Sequence, residues 1–179
     1  LATLQGEQIA NIGSQDMNDE VWLKLGRRIN ELVAMPDVSG VVITHGTDTI
    51  EETAYFLNLV VKSRKPVAPT APMRPSTALS ADGPLNFYNA VAVAANTEAA
   101  GRGVLVVIND WIHGASSLTK TSTTAVQTFL SPLSGLIGTV AYGRAEFYRA
   151  PIGKHTVDSV FSLDGVTSLP RVDIIMAYE

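Results

Sequence analysis

Cysteine is absent from the 179 residues. That excludes a disulfide framework and thiolate chemistry, and it fits an exported protein as well as a cytosolic one. An excess of basic charge is absent too. Thirteen Lys and Arg against 17 Asp and Glu give a net charge of −4, which leaves no electrostatic footprint for nucleic acid. No apolar run approaches the length that spans a bilayer, so no membrane partner is expected. The chain carries neither a glycine-rich phosphate fingerprint nor a Walker sequence. His113 and His155 show no metal-ligand spacing with acids. The expectation is therefore no cofactor and no metal. There is no internal repeat, low-complexity tract or interdomain linker. No signal peptide is visible, yet the chain opens on Leu1 rather than Met, and we expect a missing or processed N-terminus. The 46% hydrophobic and 17% charged content is ordinary for a globular α/β protein, and the length suits one domain with a full core.

The most informative stretch is Val41-Val42-Ile43-Thr44-His45-Gly46-Thr47-Asp48-Thr49-Ile50-Glu51-Glu52. Its β-branched start reads as a strand buried on both faces. Thr49 and Glu52 have the spacing of a capping box, so a helix is expected from Thr49 to about Val61. Thr47 and Asp48 then lie between a strand's C-terminal end and a helix N-terminus, where open α/β sheets bind ligands and where the helix dipole favours negative charge. Two readings follow: a polar small-molecule site, or residues that only cap the helix.

Elsewhere the pattern predicts a short strand over Gln8–Gly13 and a polar loop through Ser14 and Gln15. It predicts an Asn18-capped helix to about Val33 with Trp22, Leu25, Ile29, Leu32 and Val33 on one face. The order of elements calls for a central strand near Val67, but Pro69 and Pro72 argue against one. Asp82 and Pro84 mark a helix start, with Leu85, Tyr88, Val91 and Ala95 expected inward. Gly103–Ile108 reads as a buried strand, Asn109–Thr124 as a long polar segment, and Gly138–Tyr148 as a hairpin around Tyr142-Gly143. Val172–Tyr178 reads as a last strand. Lys120 stands among threonines in Leu118-Thr119-Lys120-Thr121-Ser122, either as a surface lysine or as a desolvated amine able to act as a base.

Ile43-Thr44-His45-Gly46-Thr47-Asp48-Thr49 with Glu51-Glu52-Thr53-Ala54, together with Thr119-Lys120-Thr121, closely resembles the bacterial L-asparaginases and glutaminase-asparaginases. The resemblance runs from Gly6 to the chain's end. It implies a flavodoxin-like α/β fold with a mostly parallel sheet, and the reading is one domain over residues 1–179. It implies hydrolysis of L-asparagine, with L-glutamine a second candidate, to the acid and ammonia. Carried over, Thr47, Asp48 and Lys120 form a catalytic triad, and Ser14, Gln15 and Asp48 hold the amino-acid end of the substrate. Read without the family, Ser14 and Gln15 belong to an ordinary turn. The chemistry is coherent, because a neutral lysine can take the proton of a threonine hydroxyl. His45 is expected to support the loop and Asp82 to cap its helix. The resemblance also implies a homotetramer built from intimate dimers and a periplasmic or secreted setting.

The sequence departs from the family at two ends and in one pocket segment. The opening strand with Thr-Gly-Gly-Thr-Ile, whose second threonine is assigned as the nucleophile, has no counterpart here, and a smaller C-terminal domain is not represented. Ala71-Pro72 stands where relatives have Gly-Ala before Met-Arg-Pro. The 179 residues by themselves are therefore expected to be inactive. The rival is a non-catalytic piece that only binds an amino acid. A flavin- or nucleotide-binding module shares the general fold but lacks its phosphate motifs.

Overall fold

The computed structural model describes residues 2–177. Along the chain come α1 (Asp19–Ala34), β1 (Val41–Thr44), α2 (Ile50–Val60), β2 (Val67–Thr70) and α3 (Gly83–Ala94). Six strands follow: β3 (Leu105–Ile108), β4 (Trp111–Gly114), β5 (Thr119–Lys120), β6 (Phe129–Leu130), β7 (Gly138–Ala141) and β8 (Arg144–Phe147). β1 and β2 run parallel, with Val41 opposite Val67 and Thr44 opposite Thr70. A parallel bridge from Val67 to Val104 joins β2 to the β3 side. From β3 the order continues β4, β7, β8, all antiparallel. The fold is α/β as expected, with parallel pairing confined to the half that alternates strand and helix. β5 and β6 form a separate two-stranded ribbon.

The apolar run at Val104–Ile108 is continuous because both of its faces are covered. Val104, Val106 and Ile108 join Leu25, Ile29 and Leu57 of the first two helices in one core. Leu105 and Val107 join Ala90 and Val93 of α3 in the other. The period of two thus divides one strand between two layers. In α1 the Asn18 side chain caps the helix by accepting from the Val21 N–H at 3.2 Å. The four-residue step Leu25, Ile29, Val33 is buried.

β2 is the central strand that its prolines argued against. Val41 N–H donates to the Pro66 carbonyl and His45 N–H to that of Thr70, so alternate residues from Pro66 to Thr70 face β1. Pro69 then faces β3, and its missing donor falls there. That side holds only the isolated bridge, and the Thr70 hydroxyl supplements it by donating to the Val107 carbonyl at 2.7 Å. A proline is tolerated inside the sheet because it disturbs one edge of its strand.

Several expectations are corrected. Gln8–Gly13 forms no strand. Asn109–Thr124 is not a polar loop, for it contains β4 and β5, with Asn109 and Asp110 both at positive φ in the tight β3–β4 turn. Leu85, Tyr88 and Ala95 face outward, while Asn86, Asn89, Ala90 and Val93 are buried. Val172–Ala177 carries no strand, and Tyr178 lies outside the described residues. The hairpin around Tyr142-Gly143 forms as expected, both turn residues having positive φ.

His113 on β4 has no solvent exposure. Its Nδ1 meets the Ser131 hydroxyl at 2.9 Å, and its Nε2 has no partner among the described residues. Burial pushes its pKa down from 6.5 to about 4. The unfolded chain therefore takes up a proton on this side chain near pH 6.5 while the folded one resists until about pH 4. Stability falls as pH drops through that window, by up to roughly 3 kcal/mol from this group. His113→Leu is expected to remove that share, so its urea-unfolding free energy should fall less between pH 7 and 4.5 than the parent's. An unchanged pH slope would contradict the assignment.

Candidate functional site

The site is assembled where β1 ends. Thr44 closes the strand, and His45 to Thr49 turn the chain into α2. A part-buried relay fixes that turn. Trp22 of α1 donates its indole N–H to the Thr53 hydroxyl at 2.8 Å. Thr53, fully buried on α2, meets His45 Nε2 at 3.0 Å. His45 Nδ1 lies 2.7 Å from the Gly46 carbonyl. A carbonyl only accepts, so Nδ1 carries the hydrogen and Nε2 receives the Thr53 proton. Burial lowers the His45 pKa, which favours this neutral form. His45 thus supports the loop, with a mechanism that the sequence did not display.

The Ser14 loop is clamped onto the same turn. Asp48 N–H donates to the Ser14 hydroxyl at 3.2 Å, and the Thr49 hydroxyl donates to the Ser14 carbonyl at 2.7 Å. Thr49 makes no side-chain cap to its helix. The expected capping box is therefore replaced by a bond between loops. Gly46 permits the approach, since a Cβ there would lie 2.5 Å from the Ser14 hydroxyl oxygen. Asp82 is likewise no cap: its carboxylate accepts from the backbone N–H groups of Met73 and Arg74, both at 2.8 Å, and holds the loop after β2.

Lys120 reaches the turn from β5. Its Nζ lies 3.0 Å from the Thr47 hydroxyl and 2.7 Å from Asp48 Oδ1. The lysine side chain is 18% exposed and the aspartate 54%. The lysine side chain is thus largely covered and the carboxylate open, an arrangement that leaves an acceptor edge free for a ligand ammonium. The lysine's own N–H donates to Glu51 at 2.6 Å. Burial raises the Glu51 pKa.

Ser14, Thr47, Asp48 and Lys120 are therefore brought together beside the N-terminus of α2. Gln15 is adjacent in sequence but outward-facing, its amide donating to Asp16 at 3.3 Å. Sequence reasoning missed Trp22, Thr53 and Glu51 as members. Thr53 could have been suspected as a polar residue beside the apolar positions Ile50, Ala54 and Leu57 of its helix. Among the described residues no group of His, Asp and Glu could hold a metal ion, and no helix is long and apolar enough to cross a membrane.

A hydroxyl and a carboxylate at the end of a parallel strand thus meet a largely covered lysine from β5. Comparison with known proteins supplies the family. Residues 1–153 match the family model described as "Asparaginase, N-terminal". The chain belongs to the asparaginase family. It is 56% identical to a probable periplasmic L-asparaginase of Haemophilus influenzae, over 99% of this chain and 50% of that protein. It is 49% identical to a glutaminase-asparaginase of Pseudomonas fluorescens, over 99% and 49%. The crystal structure of a probable cytoplasmic L-asparaginase from Campylobacter jejuni superposes with a TM-score of 0.97 at 52% identity, covering 99% of this chain and 58% of that one. The chain spans about half the length of the curated relatives it matches.

The relay makes one prediction. Thr53→Val keeps the shape but leaves the Trp22 indole N–H and His45 Nε2 without their buried partner. The loss is expected to be about 2–3 kcal/mol, read as a lower urea midpoint at unchanged slope. A midpoint equal to the parent's would show that the relay does not hold the turn.

Proposed function

We propose that the protein containing this chain hydrolyses the side-chain amide of L-asparagine, with L-glutamine as a second substrate, to the acid and ammonia. The observation that carries the reading is the Lys120 amine, within hydrogen-bond reach of both Thr47 and Asp48. The names of the relatives, L-asparaginase and glutaminase-asparaginase, support the substrate class.

In its charged form Lys120 donates to both partners. Once it has given up a proton, the same 3.0 Å line lets the Thr47 hydroxyl donate to Nζ. A threonine hydroxyl, which the resemblance assigns to a Thr-Gly-Gly-Thr-Ile motif not found in these 179 residues, or a water that Thr47 orients, then attacks the amide carbon. The proton passes through Lys120 to the leaving nitrogen, which departs as ammonia, and water resolves any acyl ester to the acid. Backbone N–H groups at the α2 N-terminus are suited to the oxyanion. Asp48 attracts the substrate ammonium. Ser14 donates to the α-carboxylate, and Gln15 joins it after leaving Asp16. A homotetramer and a periplasmic or secreted setting belong to the same reading. The Haemophilus influenzae relative is named as periplasmic, which favours the setting, whereas the Campylobacter jejuni relative is named as cytoplasmic.

Lys120→Met in the full natural chain tests the reading by ammonia release from asparagine. Turnover is expected to fall at least about a hundredfold, with the circular dichroism spectrum kept. A second arm assays residues 1–179 alone, which are expected to show no turnover. A Lys120→Met rate within a few-fold of the parent would make the lysine a bystander.

A further inference from the structure

Lys120 lies outside the hydrogen-bond ladder of the central sheet. Its strand has two residues and pairs only with β6, through Thr119 opposite Leu130 and Lys120 opposite Phe129. Its Nζ nevertheless meets a turn 72 and 73 residues earlier in the chain. Leu118 and Phe129 anchor the ribbon in the core, and the backbone adds a tether at Lys120 itself. The Lys120 N–H donates to Glu51 Oε2 at 2.6 Å. Glu51 lies in the first turn of α2, directly after the segment that carries Thr47 and Asp48. Five residues, 47 to 51, therefore grip Lys120 at both ends, by the side-chain amine and by the main-chain amide. The carboxylate is part-buried, and an N–H donated to a charged acceptor is roughly twice as strong as a neutral bond.

We propose that Glu51 is a positioning residue of the amide-hydrolysis site: it pins the β5 main chain so that the Lys120 amine stays on Thr47 and Asp48. This rests on the function proposed above. Glu51 touches no reacting atom in this account. Its contribution is the reach of one carboxylate oxygen to one N–H. A shift of about 1 Å in such a support is enough to cost on the order of a hundredfold in rate.

Three variants of the full natural chain separate reach from charge. Glu51→Gln keeps the length and an accepting oxygen. Glu51→Asp keeps the charge but falls one methylene short. Glu51→Ala loses both. The readouts are kcat and KM for asparagine, and hydrogen exchange of the Lys120 amide. For Glu51→Asp and Glu51→Ala, kcat is expected to fall at least about tenfold with KM within about twofold, and the Lys120 amide to exchange at least about tenfold faster. Glu51→Gln is expected to hold kcat within about threefold and to keep the amide protected. If Glu51→Ala does not fold, the contrast between the Asp and Gln variants carries the same decision. An active parent whose Glu51→Asp variant keeps kcat and a protected Lys120 amide overturns the positioning role and leaves the function standing. A parent that releases no ammonia from either amide overturns the function instead. The exchange arm then decides the tether by itself, with unchanged Lys120 protection in Glu51→Asp and Glu51→Ala refuting it.

Discussion

The contact on which the site depends is the Lys120 amine on the Thr47 hydroxyl and the Asp48 carboxylate. It joins the β1–α2 turn to a ribbon outside the central sheet. The geometry combines two demands that pull apart. A base needs shielding from water, and a substrate needs access. The lysine side chain is largely covered and the aspartate half open, which suits the proposed base and the proposed substrate contact in turn. An exposed ion pair alone adds little stability. The position of this pair must therefore be set by what surrounds it, namely the Glu51 tether, the Ser14 clamp and the part-buried Trp22–Thr53–His45 relay.

Those supports are arranged around one short turn. Beneath it, Thr53 and His45 spend their hydrogen-bonding capacity on fixing the Gly46 carbonyl. Beside it, the absence of a side chain at Gly46 lets Ser14 come close. Above it, the first turn of α2 offers Glu51 to β5. The sheet behind supplies rigidity, since β1 and β2 run in register and β3 lies between two apolar layers. The chain's one irregular central strand, with Pro69, loses ladder pairing on its β3 side and keeps it on the β1 side, where the site is built.

Much of this was legible in the residues. The Val41–Thr44 strand, the Asn18 cap and the Tyr142-Gly143 hairpin follow from local rules of residue preference, capping and turn chemistry, although the strand expected to be buried on both faces is only half-buried, with Thr44 exposed. Thr47 and Asp48 were legible as a strand-to-helix turn, whereas Ser14 and Lys120 came from motif resemblance, because no local rule links Lys120 to Thr47 across 73 positions. What failed also failed for physical reasons. Asn109 and Asp110 form a tight turn at positive φ without glycine, so the strand after them was read as loop. Leu85 and Tyr88 look inward on a helical wheel, but Asn86 and Asn89 take the inner face. Asn86 donates to the Ala71 carbonyl at 3.0 Å and accepts from the Asn109 N–H at 2.9 Å. Thr49 has the spacing of a capping box, yet a neighbouring loop offers its hydroxyl a better acceptor. In each case a tertiary partner overrode a local preference.

The central claim is that Thr47 and Lys120 act as one unit. A double-mutant cycle in the full natural chain tests it most directly, using Thr47→Val, Lys120→Met and their combination, with kcat for asparagine as the readout. The account predicts strong non-additivity, with the double variant about as slow as the slower single one. Losses that multiply, so that the double variant falls by the product of the two single effects, would contradict it.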